Sequence, residues 1–144
     1  MAGTTRLHGV VDTLLELDAG TTPITASGVG DGGILDLGAH LVHGEFSLEV
    51  ATLDTTTGDE VYTAALEGST SASFASGIVE LASLQMGDTT QLRNQDADVA
   101  TGRYNLPFYN EQNHTIYRYV RLYVTAAGTT PIFTANVRLT KIKH

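Results

Sequence analysis

Histidines and carboxylates are the side chains that would bind a metal or transfer a proton. The five histidines are His8, His40, His43, His114 and His144. His40 and His43 are three residues apart, and on a strand this spacing turns two side chains to opposite faces, so they cannot hold one ion together. Asp96 and Asp98 would share a face of an extended segment, but the full EF-hand spacing is missing around them. We therefore predict surface histidines and a solvated acidic loop, and no metal site.

Two further patterns are typical of catalysis or cofactor binding, but each lacks the context it needs. A serine cluster lies outside any G-x-S-x-G elbow and comprises Ser69, Ser71, Ser73 and Ser76. A G-x-G-x-x-G pattern has no strong strand before it and no helix after it, and comprises Gly28, Gly30 and Gly33. The chain has no cysteine, which excludes a disulfide scaffold, a Cys-based zinc site and a thiol nucleophile. We predict neither an enzyme nor a cofactor.

Tyrosines and arginines concentrate in a short stretch of the C-terminal third. Both types are enriched where proteins meet proteins, and aromatic rings with arginines also suit single-stranded nucleic acid or sugars. The alternative is that they are ordinary strand residues, with arginine stems packed over tyrosine rings. Strand alternation places Tyr119, Arg121 and Tyr123 on one face and turns Arg118 away, towards the core or an edge. The predicted interface comprises Arg103, Tyr104, Tyr109, Tyr119, Arg121 and Tyr123.

Charge is distributed unevenly along the chain, whose net charge is −8. Residues 1–100 contain 15 acidic and 2 basic residues, whereas residues 101–144 contain 1 acidic and 6 basic residues. If the C-terminal strands lie on one side of the domain, that side is basic and suits docking between surfaces of opposite sign. The alternative is that strands of mixed charge average out after folding. The net charge argues against non-specific nucleic-acid binding, because phosphates would be repelled.

The elements that carry these residues are predicted to be antiparallel strands. Thr occurs 21 times, Gly 15 times and Lys only twice, a composition that favours strands and turns over helices. Alternating segments predict strands at residues 44–53, 60–67, 78–84, 117–125 and 132–140. Pro107 confines the strand that contains it to a sheet edge or a strand end. The predicted core includes Val120, Leu122, Val124, Phe133, Val137 and Leu139.

The length of 144 residues fits one domain, which we predict to comprise residues 34–144. Five glycines and one proline between Ala19 and Gly33 indicate that residues 1–33 form an extended N-terminal arm whose order depends on another surface. No apolar run approaches the ~20 residues that span a membrane, and no signal peptide is predicted. The sequence thus predicts an all-β antiparallel sandwich with an arm.

The segment from Gly102 to Thr125, GRYNLPFYNEQNHTIYRYVRLYVT, resembles the capsid cement (decoration) proteins of short-tailed bacteriophages. Those proteins show a similar GRY-x-LPF, and an Asn-Glu-Gln followed by Tyr-Arg-Tyr-x-Arg-Leu-Tyr. Two shorter pieces fit the same pattern, namely Ile34–Ala39, and Leu66–Thr70 leading to Phe74–Gly77. The resemblance therefore covers about residues 34–139.

This resemblance implies a jelly-roll-like sandwich without enzymatic activity on the outside of an icosahedral virion head that is assembled in the host cytoplasm. It implies two partners, the major capsid protein of the same phage and further copies of this chain in a dimer or trimer. Contact with nucleic acid or membrane is not expected. A different class stays open as the alternative, a β-sandwich module that binds carbohydrate or a receptor on a virion surface.

Overall fold

The computed structural model describes residues 10–92 and 101–141, with side chains described for residues 15–92 and 101–140. These residues form eleven strands and no helix, so no membrane-spanning helix is present among them. The strands are β1 (Val10–Asp18), β2 (Gly28–Val29), β3 (Leu35–Asp36), β4 (His43–Leu53), β5 (Val61–Ser69), β6 (Val79–Gly87), β7 (Gly102–Tyr109), β8 (Glu111–Gln112), β9 (Thr115–Ile116), β10 (Tyr119–Ala127) and β11 (Phe133–Lys141).

Two antiparallel sheets contain most of these strands. Sheet I has the order β1-β11-β4-β7, and sheet II has the order β2-β10-β5-β6, with the short β3 also paired to β10. Strands β8 and β9 form a separate two-stranded hairpin. The predicted all-β antiparallel sandwich is therefore confirmed.

The core lies between the two sheets and is formed by residues that alternate along each strand. All six predicted core residues, from Val120 to Leu139, are fully buried. Phe46 and Leu48 of β4 oppose Tyr62, Ala64 and Leu66 of β5 across the same core. Burial of a large apolar side chain contributes roughly 1.5–3 kcal/mol, so this period-two pattern fixes which face of each strand turns inward.

Strand β7 is one of the two edge strands of sheet I, and it contains Pro107, as predicted. Proline has no N–H group to donate, so an edge strand is where it costs no ladder hydrogen bond. The five predicted segments correspond to β4, β5, β6, β10 and β11, each of which begins and ends within three residues of its prediction. Local alternation was thus sufficient to place them.

The structure corrects the extent of the predicted N-terminal arm. Residues Val10–Asp18 form β1, the second edge strand of sheet I, which pairs with β11, and Leu17 is fully buried. The chain then crosses to sheet II, where β2 pairs with β10, and Ile24 exchanges backbone hydrogen bonds with Phe133 on the way. Residues 10–33 therefore belong to the sandwich, and residues 1–9 of the predicted arm lie outside the described residues.

Glycines make this packing possible because they let two backbones approach closely. A Cβ atom at Gly30 would lie 2.5 Å from the carbonyl oxygen of Leu17, and one at Gly32 would lie 2.3 Å from that of Glu16. The N–H group of Gly32 also donates a 2.9 Å hydrogen bond to the Leu17 carbonyl. Gly30 and Gly32, two of the five glycines that predicted a loose arm, are instead contact points between the β2 segment and β1.

Candidate interaction surfaces

The outer face of sheet II carries three of the predicted interface residues. Tyr119, Arg121 and Tyr123 alternate along β10 with core residues and so point away from the core. Tyr123 pairs with Val29 of β2, whose side chain is 44% exposed. Both tyrosines are half-buried, so each keeps surface that a partner could cover.

Arg121 is held in place by three neighbours on this face. Its Nε donates a 2.9 Å hydrogen bond to Glu67 of β5, and its guanidinium lies 4.4 Å from the ring centre of Phe74 and 5.9 Å from that of Tyr123. The Arg121 and Glu67 side chains are only 19% and 20% exposed. Cation–π contacts and a shielded ion pair therefore fix the orientation of this arginine in the isolated chain.

Phe74 belongs to the loop between β5 and β6, which folds back over the outer face of sheet II. Its ring is buried, yet it lies outside the core between the sheets. Its backbone has a φ of 54°, a left-handed conformation that is unfavourable for a bulky residue. The ring contact with Arg121 is a physical reason for keeping this conformation.

The serine cluster builds the loop that carries Phe74. The Ser69 hydroxyl donates to the Ser76 carbonyl at 2.9 Å and accepts from the Ser71 N–H at 3.0 Å. The Phe74 N–H in turn donates to the Ser71 carbonyl at 3.0 Å. Serines that carry no catalytic motif thus have a structural role, because their hydroxyls satisfy the backbone of a tight loop.

Arg118 directly precedes β10, which is an inner strand of sheet II, and it is exposed. Its side chain reaches Tyr119, so the prediction that it turns away from this face, towards the core or a sheet edge, is wrong. Arg118 forms a two-pronged ion pair with Asp36 of β3, at 2.7 and 2.9 Å, and its guanidinium lies 5.3 Å from the ring centre of Tyr119. The hydrogen bonds from Arg118 lower the pKa of Asp36 from 3.8 to about 2. The pair ties the short β3 to the start of β10.

The remaining predicted interface residues lie on β7, in the other sheet. Arg103 and Tyr109 point outward from sheet I, whereas Tyr104 points inward and packs against the core. The chain passes from sheet I to sheet II between β7 and β10, so residues close in sequence reach opposite faces of the sandwich. The structure therefore divides the predicted cluster into two surfaces and one core residue.

The charge asymmetry of the sequence is cancelled by pairing between strands. Each of the four arginines in the described residues forms an ion pair with an acidic residue from the first 67 residues; the pairs are Arg103–Glu49, Arg118–Asp36, Arg121–Glu67 and Arg138–Glu16. This occurs because β10 and β11 lie in different sheets, each between N-terminal strands. The interpretation that charges average out on folding is confirmed for these arginines, and they form no separate basic side.

One end of the sandwich is held together by Asn110, which is fully buried between three chain segments. Its Oδ1 accepts a 2.7 Å hydrogen bond from the Val42 N–H, and its Nδ2 donates to the carbonyls of His40 and Tyr117 at 3.1 and 3.3 Å. Its backbone N–H donates to the Val42 carbonyl, and its backbone carbonyl accepts from the Tyr117 N–H. Asn110 has no signal in the sequence, because two of its partners, Val42 and His40, lie 68 and 70 residues away along the chain.

Tyr109 directly precedes Asn110 and is one of the most exposed large apolar residues, at 56%. Its ring stacks on His43 at a centroid distance of 5.2 Å. The hairpin of β8 and β9 follows, and Asn113 and His114 occupy its turn with φ values of 51° and 65°. This pair of left-handed residues matches the turn that best fits the twist of a two-residue hairpin.

The opposite end of the sandwich carries carboxylates that are satisfied by threonines and backbone N–H groups. The side chain of the fully buried Glu60 accepts hydrogen bonds from the Thr57 hydroxyl and from the N–H groups of Thr57 and Gly58. Asp59 accepts from the N–H and hydroxyl of Thr129. The pKa of Glu60 is lowered mainly by the Thr57 hydroxyl, and that of Asp59 mainly by the Thr129 N–H, so both stay negative.

The remaining candidates for chemistry are the metal-ligating side chains and the glycine pattern. No group of three metal-ligating side chains that could hold an ion occurs in the described ranges, and Asp96 and Asp98 lie outside them. Gly28, Gly30 and Gly33 lie in and after β2, and no helix follows them. Searches of protein-family models, curated proteins and solved structures found no match to this chain.

Proposed function

We propose that this chain is a virion structural protein, a cement protein that binds the outside of an icosahedral tailed-phage head and bridges neighbouring major capsid subunits against DNA pressure. The proposal rests on the segment Gly102–Thr125, which carries the resemblance to phage cement proteins. In the fold this segment supplies the edge strand β7, the hairpin and the central strand β10. The outward residues of this segment therefore include Tyr119, Arg121 and Tyr123 on the outer face of sheet II.

The order of the strands supports the jelly-roll-like part of this proposal. A jelly roll has eight strands in two four-stranded antiparallel sheets. Here the chain passes between sheets I and II after β1, β3, β4, β6, β7 and β10, giving the orders β1-β11-β4-β7 and β2-β10-β5-β6. Such a domain has two broad outer faces, which suits a protein that adds contact area to an existing lattice.

The proposed contact is the outer face of sheet II around Tyr119 and Tyr123. Arg121 and Phe74 are already ordered there in the isolated chain, so a partner would not have to immobilise them on binding. Each bound copy adds binding free energy that head expansion would have to overcome. When one copy contacts two capsid subunits, the second contact forms at a high effective concentration, which strengthens the overall binding.

The test is binding of the purified protein to empty heads of its phage that lack it, measured by co-sedimentation over a concentration series. A buried tyrosine anchor typically contributes about 2 kcal/mol, so Tyr119→Ala and Tyr123→Ala should each weaken binding about 30-fold. Thr52→Ala, an exposed change on the outer face of sheet I, is the matched control and should bind as wild type does.

Two outcomes would overturn parts of this proposal. Wild-type binding by both tyrosine variants would exclude the sheet II face and direct attention to the acidic loop at residues 54–60. Absence of binding to heads, together with binding to a sugar array that the tyrosine variants lose, would establish the carbohydrate-binding alternative.

A further inference from the structure

The alternation of hydrogen bonds across sheet II shows to which side each backbone group points. In an antiparallel ladder, one residue directs its N–H and C=O groups to one neighbouring strand, and the next residue directs its own to the other. The Leu122 carbonyl of β10 accepts a 3.0 Å hydrogen bond from the Gly30 N–H, on the side of β2. Tyr123 therefore bonds to its partner on β5, Ala65. The adjacent β5 residue, Ala64, in turn bonds to β6.

Two residues of the edge strand β6 have no backbone partner in the described ranges. Ala64 pairs with Leu84, so the backbone of Leu84 bonds to β5. Ser83 and Gln85, on either side of Leu84, therefore direct their N–H and C=O groups to the open side of β6. Both residues are exposed. Two donors and two acceptors thus lie unpaired along this side of sheet II.

The stretch that carries these groups is bounded at both ends. Before it, the pairing of β6 with β5 shifts register at Leu81, and the side-chain amide of Gln112 donates to the Glu80 carbonyl at 2.8 Å. After it, Met86 is buried. We call the stretch between these limits, Ala82–Gln85, the open edge.

The open edge lacks the features by which proteins commonly protect an edge strand. Proline and charged side chains are two such features, because they prevent the edge from pairing with another chain. Strand β7, an edge of sheet I, contains Pro107 and Arg103, whereas the open edge contains neither proline nor a charged residue. Its unpaired backbone groups therefore suit an extended segment that adds to the sheet as a further strand.

The charges beside the open edge indicate the chemistry of that segment. No charged residue occurs between Glu80 and Asp88, so carboxylates flank the open edge on both sides in the sequence. A segment with uncharged residues in its middle and a lysine or arginine towards each end complements this pattern.

We propose that the open edge binds an extended segment of the major capsid protein, which adds to sheet II beside β6. This inference rests on the proposed function and names the mode of contact with the capsid. The backbone hydrogen bonds of an added strand give affinity, and the side chains that flank it give specificity. The outer face of the same sheet carries Tyr119 and Tyr123, so the added strand would extend the proposed contact.

Gln85→Pro tests the open edge without removing a hydrogen bond of the β5–β6 ladder. Proline lacks the N–H group that Gln85 directs to the open side, and its ring obstructs an incoming backbone. Binding to empty heads, measured by co-sedimentation, should weaken at least about tenfold. Gln85→Ala is the matched control, which keeps the N–H group and should bind as wild type does. Both variants should unfold at the urea concentration of wild type.

Hydrogen exchange of the wild-type protein is a second measurement, and it needs no variant. On heads, the amides of Ser83 and Gln85 should exchange at least about tenfold more slowly than in the free protein, because the added strand accepts from them. The Leu84 amide, which is already bonded to β5, should change much less.

The outcomes separate this inference from the proposed function. Wild-type binding by Gln85→Pro, or unchanged exchange at Ser83 and Gln85 on heads, would overturn the strand addition and leave the proposed function standing. Heads that bind no wild-type protein would overturn the proposed function and the strand addition with it.

Discussion

Replacing Asn110 tests whether its buried side chain holds together the chain segments at one end of the sandwich, those of His40–Val42 and Tyr117. Asn110→Ala removes an acceptor for the Val42 N–H and a donor for the carbonyls of His40 and Tyr117, at 2.7, 3.1 and 3.3 Å. The two backbone hydrogen bonds of Asn110 stay available in the variant. The change therefore isolates the side chain.

The magnitude follows from the groups left without partners. A buried donor or acceptor that loses its hydrogen bond costs about 1–3 kcal/mol. The carbonyls of His40 and Tyr117 accept the two longer hydrogen bonds, so we assign each of them a cost at the lower end of this range. We expect Asn110→Ala to lower the free energy of unfolding by about 3 kcal/mol in total. With a slope of about 2 kcal/mol per molar urea, the unfolding midpoint should fall by about 1.5 M.

Urea titration followed by circular dichroism measures this shift, with Asn105→Ala as the control. Asn105 lies on the same strand segment, but its side chain accepts one hydrogen bond, from the Ser47 hydroxyl, at an exposed position. Its replacement should change the free energy of unfolding by less than about 0.5 kcal/mol. Equal effects of the two alanine variants, or a loss below about 1 kcal/mol at Asn110, would refute the role assigned to Asn110.

Three further predictions concern stability. Phe74→Gly should be about 1 kcal/mol more stable to urea than Phe74→Ala, because only glycine adopts a φ of 54° without strain; equal stability would contradict this. The pKa of Asp36 is lowered, so its pairing with Arg118 stabilises the fold above pH 3.8, and this stability is lost as pH falls towards 2. Asp36→Asn should therefore lose less stability than wild type between pH 3.8 and pH 2. Burial raises the pKa of Asp18 above 3.8, so stability is lost as pH rises through the raised value; the stability of Asp18→Asn relative to wild type should therefore increase from pH 3 to 7 in urea titrations.

The long strands were predictable because their signal is local. In β10 and β11 buried and outward residues alternate. This period of two residues predicts both that the segment is a strand and which of its faces is buried. The segment at residues 10–33 was misjudged for the opposite reason. The role of Gly30 and Gly32 depends on the backbone of β1 that packs against them, and composition alone does not contain that information.

The candidate surfaces were predicted in part. Alternation correctly grouped Tyr119, Arg121 and Tyr123 on one face, but it could not show that β7 lies in the other sheet. Phe74 was missed because a single aromatic residue in a serine-rich loop has no periodic pattern. Asn110 was missed because its side-chain partner Val42 lies 68 residues away, so only the tertiary fold shows the contact.

A density map of heads incubated with the purified protein tests the proposed capsid role most directly. We predict one sandwich-sized density per bound copy on the outer surface, with the outer face of sheet II, around Tyr119 and Tyr123, against two neighbouring major capsid subunits. Heads that carry no such density at saturating protein would contradict the cement function.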